Sequence, residues 1–199
     1  MLIPLKLSAQ TDEQLMRRAA RGSNHAFEEL YNRHARRLQG FFARRLGPDS
    51  DLAADFMHDT FLRLYDARER YREGSSFRAW LYTIAYNLCK NHYRIKTRLQ
   101  SLPHSEGSGC PDDEETTGDM AFEDGIELNM DATILRDALR KVLARLPEPG
   151  AMLFSLHYEE ELTIPQIAQI TSLPEGTVKS RLHKTMNIIK QQLRNYENR

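Results

Sequence analysis

Apolar residues recur every three or four positions over most of the chain, the spacing of helices with one buried face. In the first hundred residues this spacing predicts four helices. Thr11 and Gln14 form a capping-box pattern at the start of the first, and Gly22 ends it. The second begins near Ser23 and stops at Gly47. The others are predicted at about residues 50–65 and 77–98, with a polar loop at 68–76 between them.

The last third of the chain shows the same helical spacing. We expect a helix over residues 133–146, a short one over 151–158 and another over 163–170. Ser172 and Glu175 resemble a capping box that opens a last helix, which runs to about residue 195.

Residues 101–131 separate these two helical parts. They are rich in Ser, Gly, Pro and acidic residues and show no sustained apolar period, so they predict a flexible acidic linker. With no strand pattern in the sequence, we expect an all-α protein of two helical domains, at residues 10–100 and 132–199, joined by a linker at 101–131.

The formal net charge of zero conceals a division of charge along the chain. Residues 1–100 carry 18 Lys and Arg against 11 Asp and Glu, residues 101–131 carry none against 10, and residues 132–199 carry 10 against 7. Two basic parts around an acidic one suit a nucleic-acid partner. Two solvated domains on a charged tether fit the same counts, and charge alone does not separate these interpretations.

Several classes of protein are not indicated by this sequence. No apolar run has the length of a membrane span, and residues 1–10 do not resemble a secretory signal, so we expect no membrane insertion and a cytoplasmic location. Cys89 and Cys110 offer no disulfide framework. Cys89 and His92 lack the further convergent ligands of a zinc site, so no metal and no cofactor is predicted. Because catalytic sequence motifs are also absent, we expect a binding protein and not an enzyme.

The segment TIPQIAQITSLPEGTVKSRLHK, residues 163–184, carries the strongest pattern. A short helix, a tight turn and a longer helix form a helix-turn-helix, whose second helix enters the DNA major groove. Val178 and Leu182 are predicted to point inward, which leaves polar side chains outside that pair with base edges or phosphates. A basic solvated helix in an ordinary bundle fits the pattern as well.

Four motifs make the interpretation more specific. GTVKSRL at residues 176–182 resembles the region-four recognition helix of extracytoplasmic-function sigma factors, a group of bacterial RNA polymerase sigma factors. FEELY at 27–31, DFMHDTFLRL at 55–64 and FRAWLYTIAYN at 77–87 resemble three elements of the same family's region two, in the family's order. The resemblance covers about three quarters of the chain. It implies a factor that joins core RNA polymerase and directs it to promoters.

The resemblance also implies roles for particular residues. The helix at 55–64 would bind the clamp of the largest polymerase subunit through Asp55, His58, Asp59 and Arg63, with Phe56 and Leu64 packed inward. This chain has His58-Asp59 where the family usually has Gln-Glu. The minus-ten promoter element would be melted and read by the loop at 72–76 and the helix after it, through Ser75, Ser76, Arg78, Trp80, Asn87, Lys90, Asn91 and Arg94. Tyr82, Tyr86 and Tyr93 are candidates either for stacking on bases or for core packing.

The second domain would read the minus-thirty-five element as duplex and bind the polymerase flap. The candidate DNA contacts are Thr177, Lys179, Ser180, Arg181, His183 and Lys184. Ser172 stands where the family commonly has Gly, and Met186 where a basic residue is usual. An anti-sigma factor is expected as a partner by resemblance alone.

Two alternative functions remain compatible with the sequence. One is a sigma-like decoy that occupies an anti-sigma factor without binding promoters. The other is a conventional helix-turn-helix regulator, which requires a dimerisation or ligand domain.

Overall fold

The computed structural model describes residues 7–47, 50–100, 132–143 and 145–197. These residues form helices and turns without a strand, and they divide into two compact units. The predicted all-α class is confirmed. The predicted linker at 101–131 lies outside the described residues.

The first unit contains four α-helices. They are α1 (Asp12–Ala20), α2 (Asn24–Leu46), α3 (Ser50–Asp66) and α4 (Phe77–Gln100). Single 3₁₀ turns lie at Leu7–Ala9 and at Arg68–Arg70, the second of them inside the stretch predicted as a loop.

Local sequence explains where the first two helices begin and end. Thr11 caps α1 in the predicted box, since its side chain accepts from the Gln14 amide while the Gln14 side chain accepts from the Thr11 amide. Gly22 adopts a positive φ of 93° in the turn between the helices, a conformation that glycine tolerates. Ser23 then caps α2 by accepting from the amide of Ala26.

An aromatic core holds α2, α3 and α4 together. Phe42 packs edge-on against Phe56 of α3 with ring centroids 5.5 Å apart, and Phe41 packs similarly against Tyr82 of α4 at 5.4 Å. Leu30, Leu38, Leu64, Phe77 and Leu81 are fully buried around them. The apolar stripes predicted for α2, α3 and α4 therefore meet in one core.

The second unit also contains four α-helices. They are α5 (Ala132–Leu143), α6 (Gly150–Phe154), α7 (Ile164–Thr171) and α8 (Glu175–Glu197). The α6 helix continues into a π-helical turn, Ser155–Glu159. The core comprises buried Ala138, Val142, Leu146, Ala151, Phe154, Ile189 and Leu193.

Two helix predictions in this unit were wrong in detail. α5 ends at Leu143 and not at Leu146, because the amides of Arg145 and Leu146 turn back to carbonyls three residues earlier and the residue before Pro147 disfavours helix. The helix predicted over 151–158 is α6 followed by the π turn.

The proposed capping box of Ser172 and Glu175 was also wrong. Ser172 closes α7 in the left-handed conformation, with φ 59° and ψ 32°, and its amide donates to the carbonyl of Ala168. The carbonyl of Pro174 accepts the first bond of α8, from Val178 at 3.0 Å. Ser172 thus ends one helix and does not begin the next.

Candidate nucleic-acid interface

α4 presents a polar stripe on the side away from buried Phe77, Leu81 and Leu88. Asn87, Lys90, Asn91 and Arg94 are exposed along it, while Trp80 and Thr83 are partly buried nearer the helix start. The three- and four-residue spacings put these side chains on one face. Asn side chains both donate and accept hydrogen bonds, so this face suits the edges of unpaired bases.

The loop before α4 is held in one conformation by side-chain hydrogen bonds. The Tyr71 hydroxyl donates to the carbonyl of Ser75 at 2.5 Å, and the Tyr71 ring stacks on Trp80 with centroids 5.5 Å apart. The Ser76 side chain accepts from the amide of Ala79 at 3.2 Å, which caps α4. Ser75 and Ser76 are partly buried as a result.

α1 braces the same loop from the other side. The Glu13 carboxylate accepts from the backbone amide of Phe77 at 3.3 Å. Arg17 forms an ion pair with Glu73. The first turn of α4 and the loop before it are therefore fixed to α1.

A cavity of about 480 Å³ opens where this loop meets α1. Burial, and next the charge of Glu13, raise the pKa of Tyr71, so its phenol stays a hydrogen-bond donor at neutral pH. The cavity offers carboxylate, guanidinium, hydroxyl and backbone groups to a ligand. Its lining comprises Glu13, Arg17, Tyr71, Glu73, Gly74, Ser75 and Ser76.

Sequence reasoning missed Glu13, Arg17 and Tyr71 as parts of this site. Glu13 contacts a residue 64 positions later, and Arg17 one 56 positions later. Helical spacing gives no signal for such distant contacts.

The three tyrosines of α4 do not all remain candidates for base stacking. Tyr82 is 1% exposed and packs against Phe41, so the stacking alternative is wrong for this residue. The Tyr93 hydroxyl donates to the carbonyl of Arg45, which fixes this partly buried ring against α2. Tyr86 is partly buried.

α7, its turn and α8 form the predicted helix-turn-helix. Ile167, Val178 and Leu182 are fully buried between the helices. Lys179, Ser180 and Lys184 are exposed, and Thr177, Arg181 and His183 are partly buried. The Ser180 hydroxyl donates to the carbonyl of Thr177 at 3.2 Å, which leaves its oxygen as an acceptor.

The outer face of α3 carries the four predicted polymerase contacts. Asp55 and His58 are exposed, and Arg63 donates to Asp59 at 3.0 Å, one helical turn earlier. Leu64 is buried, as predicted, and Phe56 is partly buried against Phe42.

Leu62 lies on this same face of α3 and was not predicted. It is 65% exposed, although it is a large apolar residue in a polar surface. The sequence does contain a signal for Leu62. It lies three residues after Asp59 and four after His58, a spacing that places all three on one face of a helix.

Comparison with known families accounts for both units. The Sigma-70 region 2 family matches residues 30–99, and the Sigma-70 region 4 family matches residues 136–187. The RNA polymerase sigma-H factor of Pseudomonas aeruginosa is 32% identical over 187 residues, which cover 92% of this chain and 94% of that protein. The ECF RNA polymerase sigma-E factor of Escherichia coli K12 is 29% identical over 183 residues, which cover 90% of this chain and 92% of that protein.

The chain belongs to the extracytoplasmic-function sigma factors. It is therefore a factor that binds core RNA polymerase and directs transcription initiation at promoters. This confirms the family and function predicted from the four motifs.

Two solved structures share the fold. CnrH, in complex with the cytosolic domain of CnrY, has a TM-score of 0.64 and 22% identity over 92% of this chain and 97% of that chain. The sigma factor RpoE of Bartonella quintana, in complex with the anti-sigma factor NepR, has a TM-score of 0.61 and 20% identity over 84% of this chain and 96% of that chain.

The two family matches contain the candidate surfaces on α3, α4 and α8 of this sigma factor, but not α1. The region 2 match contains α3, α4 and the loop between them, and the region 4 match contains the helix-turn-helix. α1 lies before the first match, so the cavity is lined in part by residues outside it.

Two features are absent from the described part of this sigma factor. None of its helices is long and apolar enough to cross a membrane. No group of three or more His, Cys, Asp and Glu side chains is placed to hold a metal ion among those residues.

Proposed function

We propose that this sigma factor binds core polymerase through the outer face of α3 and reads promoter DNA with two separate surfaces. The observation that supports this most directly is the polar stripe of α4, which begins beside a cavity and continues through exposed Asn87 and Asn91. Such a surface suits a strand whose bases have left the duplex stack.

The minus-ten element is the proposed ligand of the first DNA-reading surface. One unstacked base enters the cavity beside Ser75 and Ser76, and neighbouring bases meet Trp80, Asn87 and Asn91. Lys90 and Arg94 lie along the phosphates, as does Arg78, which is partly buried near the start of α4. Unpairing a base costs a few kcal/mol, which these contacts offset.

The minus-thirty-five element is the proposed ligand of α8. Lys179, Ser180 and Lys184 meet base edges or phosphates directly because they are exposed. Thr177, Arg181 and His183 are proposed as contacts at the border of the groove.

The clamp of the largest subunit is the proposed partner of α3. Asp55, His58, Asp59 and Arg63 supply its polar contacts, and Leu62 adds an apolar contact in the same surface.

The flap of the polymerase is the proposed partner of the second unit. The proposed domains are residues 10–100 and 132–199, joined by a linker at 101–131.

An anti-sigma factor is proposed as a further partner. The structures of CnrH and RpoE, which share this fold, contain a bound CnrY domain and a bound anti-sigma factor.

We further propose that the protein acts in the cytoplasm and has no catalytic activity of its own, since the polymerase performs the chemistry.

Transcription in vitro tests the proposed function. The purified protein is mixed with bacterial core polymerase and a library of promoter sequences, with an Arg181→Ala, Lys184→Ala variant in parallel. New start sites that require the wild-type protein and weaken in the variant are expected, because the variant loses two cations of α8. Lys190→Ala with Arg194→Ala is the matched control, since it removes the same charge further along the helix.

Two results would contradict the proposal. A protein that binds core polymerase but redirects no initiation would have no promoter-reading function. Equal loss in the two double variants would show that α8 contributes charge and not a specific contact.

A further inference from the structure

The start of α6 lies so close to the middle of α8 that residue 150 has no room for a side chain. A Cβ atom on Gly150 would lie 2.5 Å from Oγ1 of Thr185, and 3.7 Å from Cβ and Cγ2 of the same residue. The backbone does not require glycine, since Gly150 is not among the glycines with a positive φ. Glycine is therefore required here by the close approach of α8.

Thr185 is a polar residue within the buried stripe of α8. It is 5% exposed, and its hydroxyl donates to the carbonyl of Arg181 at 2.8 Å. A rotation of the side chain away from Gly150 would break this hydrogen bond, so Oγ1 is held against α6. The apolar members of the stripe, at three- and four-residue spacings, are Val178, Leu182, Ile189 and Leu193.

Thr185 lies where α8 changes from carrying candidate DNA contacts to packing in the core. The candidate contacts occupy positions from Thr177 to Lys184, and Lys184 is adjacent to Thr185 in sequence. Ile189 and Leu193, which follow, belong to the core that residues of α5 and α6 share. The contact with Gly150 is therefore made at the end of the DNA-reading half of α8.

α6 has little freedom to move away from α8. Every residue from Ala151 to Leu156 is buried, and a close-packed core resists such a shift. The outer side of α8 faces solvent at Lys179, Ser180 and Lys184. A methyl group added at residue 150 should therefore displace α8 by about 0.5 Å or more, which is the tolerance of a binding site for its contacting groups.

We propose that Gly150 and Thr185 are positioning residues for reading the minus-thirty-five element. Their contact sets the direction in which the DNA-reading half of α8 projects from the second unit. Neither residue touches DNA in this account, since both act through the placement of α8. The inference rests on the proposed function of α8.

Gly150→Ala is the first test. Holoenzymes with the wild-type protein and with the variant transcribe a library of minus-thirty-five sequences, at a temperature where circular dichroism shows both sigma factors folded. One mismatched base pair lowers binding about fivefold or more. The ratio of transcription from the best sequence to that from its single mismatches should fall about threefold in the variant. Lower stability alone would reduce transcription from every sequence equally, so a folded variant with the wild-type ratio would overturn the proposal.

A second substitution at residue 185 tests whether the contact itself is the cause. Thr185→Ala removes Oγ1 and Cγ2 and leaves the Thr185 Cβ atom, at 3.7 Å from the added methyl group. Gly150→Ala with Thr185→Ala should therefore recover most of the wild-type ratio, because the added methyl group takes the space of the removed hydroxyl. A folded double variant that keeps the low ratio would overturn the proposal.

Thr185→Ser is the matched control at residue 185. It keeps the hydroxyl that contacts Gly150 and bonds to the Arg181 carbonyl, so the wild-type ratio is expected. Thr185→Ala alone loses both contacts and should lower the ratio. If Gly150→Ala does not fold, these two variants decide the matter, and equal ratios in them would overturn the proposal.

The same library separates this inference from the proposed function. A wild-type holoenzyme without any preference at the minus-thirty-five element would refute the proposed function of α8 and the positioning role together. A wild-type preference that Gly150→Ala leaves unchanged would refute the positioning role alone. Preference at the minus-ten element should stay unchanged in every variant, because all the substitutions lie in the second unit.

Discussion

Asp12 connects the start of α1 to Arg33 and His34 of α2. Its carboxylate contacts Nε2 of His34 at 2.7 Å and accepts from Arg33 at 3.0 Å, and Arg33 also donates to the carbonyls of Leu7 and Gln10. The hydrogen bond with His34 is the largest cause that lowers the pKa of Asp12 below 3.8, and the charge of Arg33 adds to it while burial opposes it.

The lowered pKa predicts how Asp12 contributes to stability at different pH values. A carboxyl group whose pKa is lower in the folded state stabilises the protein above its unfolded pKa, and this contribution disappears as the pH falls through the folded value. Asp12→Asn should therefore lower the free energy of unfolding by about 1–2 kcal/mol at neutral pH. Urea unfolding at several pH values should show the difference shrinking below the unfolded pKa of 3.8. A difference independent of pH would contradict this account.

Ser172 offers a second test at the scale of one residue. A left-handed conformation costs an L-residue about 1–2 kcal/mol, and glycine avoids this cost. Ser172→Gly should therefore stabilise the second unit by about 0.5–1 kcal/mol, after the greater freedom of glycine in the unfolded chain is subtracted. Thermal unfolding measures the change, with Ser172→Ala as the control that keeps a Cβ atom. Equal melting temperatures of the two variants would contradict the prediction.

Ser172 also shows that a local sequence pattern does not always distinguish the start of a helix from the end of the preceding one. Thr11 with Gln14 was predicted as a capping box, and the structure contains it, together with a second box formed by Thr163 and Gln166. Ser172 with Glu175 fits the same pattern, but Ser172 closes α7 instead. In a turn this short, one polar residue satisfies either the end of one helix or the start of the next. The local pattern does not separate the two.

At the scale of elements, α3 combines an acidic surface with an exposed apolar residue. An exposed apolar side chain contributes binding energy when a partner removes its surface from water. Leu62→Ala should weaken binding to core polymerase by about 1–2 kcal/mol, while the melting temperature changes little because the side chain is exposed. Ile95→Ala is the control, since Ile95 is 55% exposed on α4.

The outcome for α3 is read from titrations of labelled sigma factor with core polymerase. An unchanged, wild-type affinity of Leu62→Ala would show that Leu62 lies outside the interface. Equal loss in both would mean that exposed apolar area alone matters.

The polar stripe of α4 predicts a loss of promoter reading without a loss of folding. Asn87→Ala and Asn91→Ala each remove an exposed amide, so stability should change by no more than about 0.5 kcal/mol. Each contact to a base is worth about 1–3 kcal/mol. Transcription from promoter variants should then show preference relaxed at one base position for each substitution. A uniform decrease across all promoter variants would instead indicate a phosphate contact.

Helices were easier to predict than the contacts between them. The ends of α2 follow from Ser23 and Gly47, which are adjacent to it in sequence. The cavity depends on Glu13 and Arg17 of α1 meeting the loop before α4 across more than fifty residues. Exposed Asn87 and Asn91 were predicted correctly as surface residues because a single helix fixes their face.

At the scale of the whole molecule, the zero net charge results from opposite charges on separate segments. α2 after residue 30 and α4 carry only cations, α3 carries mainly Asp, and residues 101–131 carry ten acidic residues and no Lys or Arg. Sequence composition predicted the acidic stretch at 101–131 between two basic parts. Composition gave no indication that Phe41 of α2 packs against Tyr82 of α4.

The acidic residues of 101–131 should limit binding of the free sigma factor to DNA in general. Replacing all ten by Asn or Gln raises the net charge by ten, and phosphate attraction supplies most of nonspecific affinity. The free variant should therefore bind a duplex of unrelated sequence more tightly than wild type. The difference should narrow as salt rises, because the screening length falls to about 10 Å at 0.1 M. A shuffled segment that keeps its ten acidic residues is the control. Tighter binding by this control as well would show that the order of the residues, and not their charge, limits DNA binding.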